Sequence, residues 1–67
     1  MDTIVSIMLF MNVVSPSGHY TTGQLNNFAS IYSNQINVIE NTPGQLEAIL
    51  SEFEPMAEIV VEDSVGG

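Results

Sequence analysis

The sequence predicts a single small α/β domain over residues 1–67, with the element order β-α-β-α-β, a three-stranded sheet and two amphipathic helices. Three observations predict this fold. An apolar run lies near the N-terminus, two segments with helical spacing begin with similar motifs, and a short β-like run follows each of them. Helical connections of this length can join parallel strands. An α+β fold with an antiparallel edge strand is the alternative.

The first strand is expected in the apolar run from Thr3 to Val14. One of its two alternating faces is wholly apolar, and the other is interrupted only by Ser6 and Asn12. Strands that are buried on both faces have this composition, so we expect this strand to be central. If both helices lay on one side of the sheet, an apolar patch would stay exposed and would favour oligomerisation. The residues of this expected apolar interface are Met8, Phe10, Ile39 and Val60.

The two helices are expected over residues 22–33 and 43–54. They begin at residues 21–25 (TTGQL) and 42–46 (TPGQL), and both motifs place a glutamine three residues after a threonine, as in a capping box. Apolar residues then recur at the i, i+3, i+4, i+7 spacing of an amphipathic helix. This repeat is either an internal duplication or a pair of similar helix–strand units.

The second and third strands are expected at residues 36–39 (INVI) and 58–61 (EIVV), which follow the two helices. Both runs are rich in β-branched residues, which favour strands. Residues 63–67 are expected to form a flexible C-terminal tail.

Charge is the most unusual property of the chain. It has no lysine or arginine and eight aspartates and glutamates, giving a formal net charge of −8. Direct nucleic-acid binding and docking on an anionic membrane both depend on basic side chains, so neither is expected. The apolar run is too short to span a bilayer, and the N-terminus lacks the basic region of a signal peptide, so a cytoplasmic location is expected.

Catalytic, cofactor-binding and metal-binding residues are not expected. The chain contains no cysteine, and its single histidine, His19, has no carboxylate or serine at a spacing that fixes a catalytic group. One histidine with scattered glutamates is a poor metal site. We therefore expect a protein without enzymatic activity and without a cofactor.

Seven of the eight acidic residues lie between residues 40 and 63. Like charges without counter-cations destabilise a fold, which favours a basic protein partner for this half of the chain. The expected function is a small acidic interaction module that inhibits or antagonises a basic surface, including a nucleic-acid-binding one, as some phage and mobile-element proteins do. The expected partner-binding residues are Glu47, Glu52, Glu54, Glu58, Glu62 and Asp63. A solvated face that maintains solubility and an assembly subunit that forms a homo-oligomer are the alternatives.

The C-terminal residues 65–67 (VGG), together with the spacing of Gly18, Thr21 and Leu25, resemble the small sulfur-carrier proteins of the β-grasp (ubiquitin-like) family. The resemblance implies a β-grasp fold and a terminal glycine carboxylate that is adenylated and then thiocarboxylated. The chain departs from the family pattern because no β-hairpin precedes the first helix. Residues 54–56 (EPM) also replace the family's Asp-Gly-Asp-like turn.

Overall fold

The structure, a computed structural model, describes residues 3–62. In chain order the elements are α1 (Thr3–Phe10), β1 (His19–Tyr20), α2 (Thr22–Ile31), α3 (Ser33–Glu40), α4 (Pro43–Phe53) and β2 (Val60–Val61). The four helices make the described chain 62% helical, and β1 and β2 form a small parallel sheet. The expected three-stranded β-α-β-α-β fold is therefore wrong, and so is the β-grasp fold that the C-terminal resemblance implied.

The expected first strand is the helix α1. All five residues from Val5 to Leu9 are buried, so this helix is surrounded by the rest of the protein and has no polar side. A short apolar run that is buried on every side lacks the periodicity that distinguishes a helix from a strand. Its β-branched residues favour a strand only weakly, and packing overrides that preference. Helix α1 packs most extensively against α4, and also against α2 and α3.

Helix α1 ends in a Schellman motif. The N–H of Val13 donates to the carbonyl of Met8 at 2.9 Å, and the N–H of Asn12 donates to that of Leu9 at 3.1 Å. Asn12 has a positive φ of 62°, the left-handed conformation that this motif requires after the last helical turn. The asparagine that interrupts the apolar run thus ends the helix.

Helix α2 begins with the expected capping box. The Thr21 hydroxyl accepts a hydrogen bond from the Gln24 N–H at 3.0 Å, and the Gln24 side chain accepts one from the Thr21 N–H at 2.8 Å. Its expected apolar stripe packs against the core, with its residues partly buried. That stripe consists of Leu25, Phe28, Ala29 and Tyr32.

The expected second strand is part of the helix α3. Tyr32 separates α2 from α3, and its carbonyl accepts from the Ile36 N–H at 3.0 Å, which continues the helical pattern. Ile36 and Ile39 are buried while Val38 is 65% exposed, which is the i, i+3 pattern of a helix and not the alternation of a strand.

Helix α4 lies within the expected range and begins at Pro43, whose missing N–H needs no partner in the first turn. The capping box expected here is absent. Thr42 makes no side-chain cap hydrogen bond, and its hydroxyl donates instead to the carbonyl of Val38 at 2.8 Å. Ile49 is buried against α1, and the neighbouring apolar residues of α4 are half-buried.

Candidate functional site

Five of the six expected partner-binding residues lie in the described part of the chain, and all five are exposed. We call these five the C-terminal glutamates. Asp63, the sixth expected partner-binding residue, lies outside the described residues. The C-terminal glutamates are Glu47, Glu52, Glu54, Glu58 and Glu62.

Three of these glutamates belong to α4 and its C-cap. Glu47 and Glu54 are seven positions apart and point within about 20° of the same direction around the helix axis, whereas Glu52 points about 140° away from Glu47. Glu52 and Glu54 also stand at the helix C-terminus, where the helix dipole disfavours negative charge by a few tenths of a kcal/mol. Helix α4 therefore presents acidic side chains on more than one side.

Residues 58–62, which we call the tail strand, pair in parallel with residues 16–20. Three backbone N–H groups of the tail strand donate across the pair: Glu58 to Pro16 at 2.7 Å, Val60 to Gly18 at 3.0 Å, and Glu62 to Tyr20 at 2.7 Å. The third strand expected from the sequence is therefore present as β2, and its partner comes from a segment interpreted as a loop.

The two faces of the tail strand differ in chemistry. Side chains alternate between faces in a strand, so Glu58, Val60 and Glu62 share the outer face and the two residues between them share the inner face. Val60 is 43% exposed between its two exposed glutamates. The outer face is thus acidic at both ends and apolar in the middle.

His19 makes a hydrogen bond with the tail strand, and this contact is an ion pair when the imidazole is protonated. Its Nδ1 lies 2.7 Å from the Glu62 Oε1, and both side chains are about 60% exposed. Exposed pairs of this kind contribute about 0–1 kcal/mol. The contact joins β1 to the tail strand. Within residues 3–62, the other four C-terminal glutamates make no contact of this kind.

The apolar interface expected from a sheet does not exist in this form. Met8 is 1% exposed and Ile39 is 7% exposed, so both belong to the core. Phe10 is 41% exposed, and its ring stands edge-on to Phe53 with the ring centroids 6.0 Å apart. Of the expected interface residues, Phe10 and Val60 remain accessible, because the expected first and second strands are helices. The assembly alternative loses the sheet face on which it depended.

A groove of about 350 Å³ lies between α1, α2 and the inner face of the tail strand. Its wall is mostly apolar, and Thr22 and Asn26 of α2 add polar groups. The sequence did not predict this groove. One of its walls is α1, which was expected to be a strand, and another is formed by residues 59 and 61, whose orientation the sequence does not show. The lining residues are Ile4, Val5, Met8, Thr22, Leu25, Asn26, Ala29, Ile59 and Val61.

Metal sites and membrane-spanning helices are both absent from residues 3–62. No group of three or more histidine or acidic side chains within residues 3–62 could hold a metal ion. In the same part of the chain, no helix has the length and apolar character needed to cross a membrane. The C-terminal Gly66 and Gly67 of the sulfur-carrier hypothesis lie outside the described residues.

Comparison with known proteins adds no relative: no protein-family model, curated protein or solved structure matches this chain. The features of this protein that indicate a function are therefore its charges, the groove and the tail strand.

Proposed function

We propose that the protein is a small acidic interaction module, without enzymatic activity, that binds a basic protein surface through the C-terminal glutamates and thereby inhibits or antagonises its partner. A basic surface that also binds nucleic acid is the target that this charge fits best, because the carboxylates would occupy the positions of phosphates.

The exposure of the C-terminal glutamates in a chain without lysine or arginine is the observation that supports the proposal. All five are exposed, the chain has no lysine or arginine, and His19 makes its hydrogen bond with Glu62 alone among them within residues 3–62. A net charge of −8 disfavours the compact state through self-repulsion, and a cationic partner would relieve it. Attraction between opposite charges would also accelerate association at low salt.

The experiment uses a defined probe, a helical peptide of lysine and alanine, added to isotope-labelled full-length protein. We expect backbone amide shifts to change mainly within residues 43–62 and the affinity to fall as salt is raised. Glu54→Gln should weaken binding about two- to fivefold, in line with the strength of exposed ion pairs. Glu40→Gln is the matched control, since Glu40 is an exposed glutamate at the end of α3 and lies outside the proposed surface.

A triple variant extends the test. Replacing Glu52, Glu54 and Glu58 by glutamine should lower the affinity further and flatten its salt dependence. If Glu40→Gln weakened binding as much as Glu54→Gln, or if the triple variant bound with unchanged affinity, the C-terminal glutamates would not form the partner surface.

A further inference from the structure

We propose that the tail strand and the adjoining groove bind an extended segment of a basic protein as a third β-strand. In this arrangement the apolar side chains of the segment enter the groove, and its lysines or arginines lie beside Glu58 and Glu62. The inference rests on the proposed function, because it takes a basic protein as the partner and specifies how that partner is held.

Within the described part of the chain, one backbone edge of the tail strand has no partner strand, and we call it the open edge. Glu58, Val60 and Glu62 direct their N–H groups toward residues 16–20. In a β-ladder the intervening residues, Ile59 and Val61, direct their N–H and C=O groups to the opposite edge. Within residues 3–62 the sheet consists of β1 and β2, so no described strand pairs with that edge. Such an edge is a template for the addition of an extended chain.

The groove lies under the same strand. The side chains of Ile59 and Val61 line it together with residues of α1 and α2. A third strand would run about 4.8 Å from β2, and its inward side chains would lie above this apolar wall. The volume of about 350 Å³ is within the range of pockets that bury apolar ligand groups. Backbone pairing and side-chain burial would thus act on one segment.

Charge decides which extended segment fits. The outer face of the tail strand presents Glu58 and Glu62 on either side of Val60, and like charges opposite each other on neighbouring strands are destabilising. A second copy of this chain has a net charge of −8 and would bring glutamates against these glutamates. A segment that alternates basic and apolar residues places a cation beside each glutamate and an apolar group toward the groove.

The first test uses a synthetic peptide of about eight residues, a common strand length, in which lysine and isoleucine alternate. We expect its addition to slow hydrogen exchange at the amides of Ile59 and Val61 by at least about tenfold, the effect of forming one or two new hydrogen bonds. A peptide of the same composition with its lysines and isoleucines in separate blocks is the matched control. It should bind more weakly and leave those two amides unprotected.

Backbone methylation of the peptide distinguishes strand addition from simple ionic attraction without altering the protein. Two isomers are made, one N-methylated at the lysines and one at the isoleucines. Only one set of alternating N–H groups can face β2, so one isomer should bind about tenfold more weakly than the other. Equal binding by the two isomers, whether strong or weak, would overturn the proposal.

A protein variant completes the test. Val61→Pro removes an N–H on the open edge and keeps the three hydrogen bonds to residues 16–20, because proline is tolerated where the N–H of an edge strand faces solvent. It should lower the affinity for the alternating peptide about tenfold while far-ultraviolet circular dichroism stays unchanged. Val61→Ala keeps the N–H and controls for the lost side chain.

The remaining outcomes separate this inference from the proposed function. If the blockwise and alternating peptides bind equally well at the C-terminal glutamates, strand addition is wrong and the acidic module stands. If neither these peptides nor the lysine–alanine helix binds there, both proposals fail. A dimer of the free protein in light scattering, with Ile59 and Val61 already protected, would assign the edge to a second copy and overturn this inference.

Discussion

The hydroxyl of Tyr20 accepts a hydrogen bond from the backbone N–H of Ser15 at 2.8 Å, which closes the loop between α1 and β1. The ring of the same tyrosine stands edge-on to Phe28 of α2, with the ring centroids 6.0 Å apart. One side chain thus fixes the loop and the start of the sheet, and these hold the tail strand in place.

Replacing this hydroxyl should loosen the loop. We expect Tyr20→Phe to lower the free energy of unfolding by about 0.5–1 kcal/mol, the net contribution of one hydrogen bond, because the ring packing is kept. Tyr32→Phe is the matched control, since the Tyr32 hydroxyl makes no hydrogen bond with the described residues. Urea denaturation measures both variants, and equal losses would contradict a specific role of the Tyr20 hydroxyl.

Gly18 allows the close approach of that tyrosine. A Cβ at this position would lie 2.5 Å from Cε2 of Tyr20, so Gly18→Ala would displace the ring. We expect a loss of about 1–3 kcal/mol in the free energy of unfolding, the usual cost of overpacking. Gly44→Ala in α4 meets no atom within 4 Å and should stabilise the protein by up to about 1 kcal/mol. Thermal unfolding followed by circular dichroism separates the two, and a stable Gly18→Ala variant would contradict the packing argument.

Ser6 is a polar residue inside the core. Its side chain is wholly buried on α1, and its hydroxyl has no hydrogen-bond partner in the described part of the chain. Ser6→Ala removes the unsatisfied group and should stabilise the protein by about 1–2 kcal/mol. The exposed Ser30→Ala in α2 should gain only the difference in helix propensity, about 0.5 kcal/mol. A destabilised Ser6→Ala variant in chemical denaturation would show that the hydroxyl is hydrogen-bonded in solution.

Asn12 ends α1 in the left-handed conformation. An alanine there must adopt a positive φ, so Asn12→Ala should cost about 1 kcal/mol of stability. Asn12→Gly is the matched control and should be neutral or stabilising, because glycine adopts this conformation without strain. Differential scanning calorimetry measures both. If alanine were tolerated as well as glycine, the Schellman motif would not be what ends this helix.

The helices that the sequence predicts correctly are those with one polar side. Helices α2 and α4 are amphipathic, so the spacing of their apolar residues identifies them, and their observed ends differ from the expected ones by one or two residues. The capping box at Thr21 was also predictable from the spacing of Thr21 and Gln24. The same spacing at Thr42 forms no capping box, because the Thr42 hydroxyl donates to the carbonyl of Val38 instead.

The elements that the sequence predicts wrongly depend on long-range packing. Helix α1 is buried on every side, so its sequence lacks the polar positions that would reveal a helical period. In α3, the β-branched residues at 36, 38 and 39 suggest a strand, whereas the structure has Val38 exposed and the Ile36 N–H bonded to the Tyr32 carbonyl, as in a helix. The partner of the tail strand is a two-residue strand, His19–Tyr20, which is too short to produce a pattern.

The candidate site was predictable in its charges and not in its shape. The C-terminal glutamates are exposed, because burying a carboxylate without a partner is costly. The groove lies where α1, α2 and the tail strand meet, and the open edge lies beside it. Neither can be predicted when α1 is interpreted as a strand. The sequence also predicts an exposed position for Met8 and Ile39, because it indicates strands where the structure has α1 and α3, and both residues are buried.

The burial of α1 has a consequence for synthesis of the protein. Residues 3–11 contain no charged side chain and leave the ribosome before α4, against which α1 packs most extensively. Until α4 has emerged as far as residue 53, α1 lacks the helix against which it is mainly buried. An uncharged apolar stretch of this length is prone to self-association. The nascent chain therefore exposes this apolar segment for an interval, because most of the acidic residues that would repel other copies are translated after it.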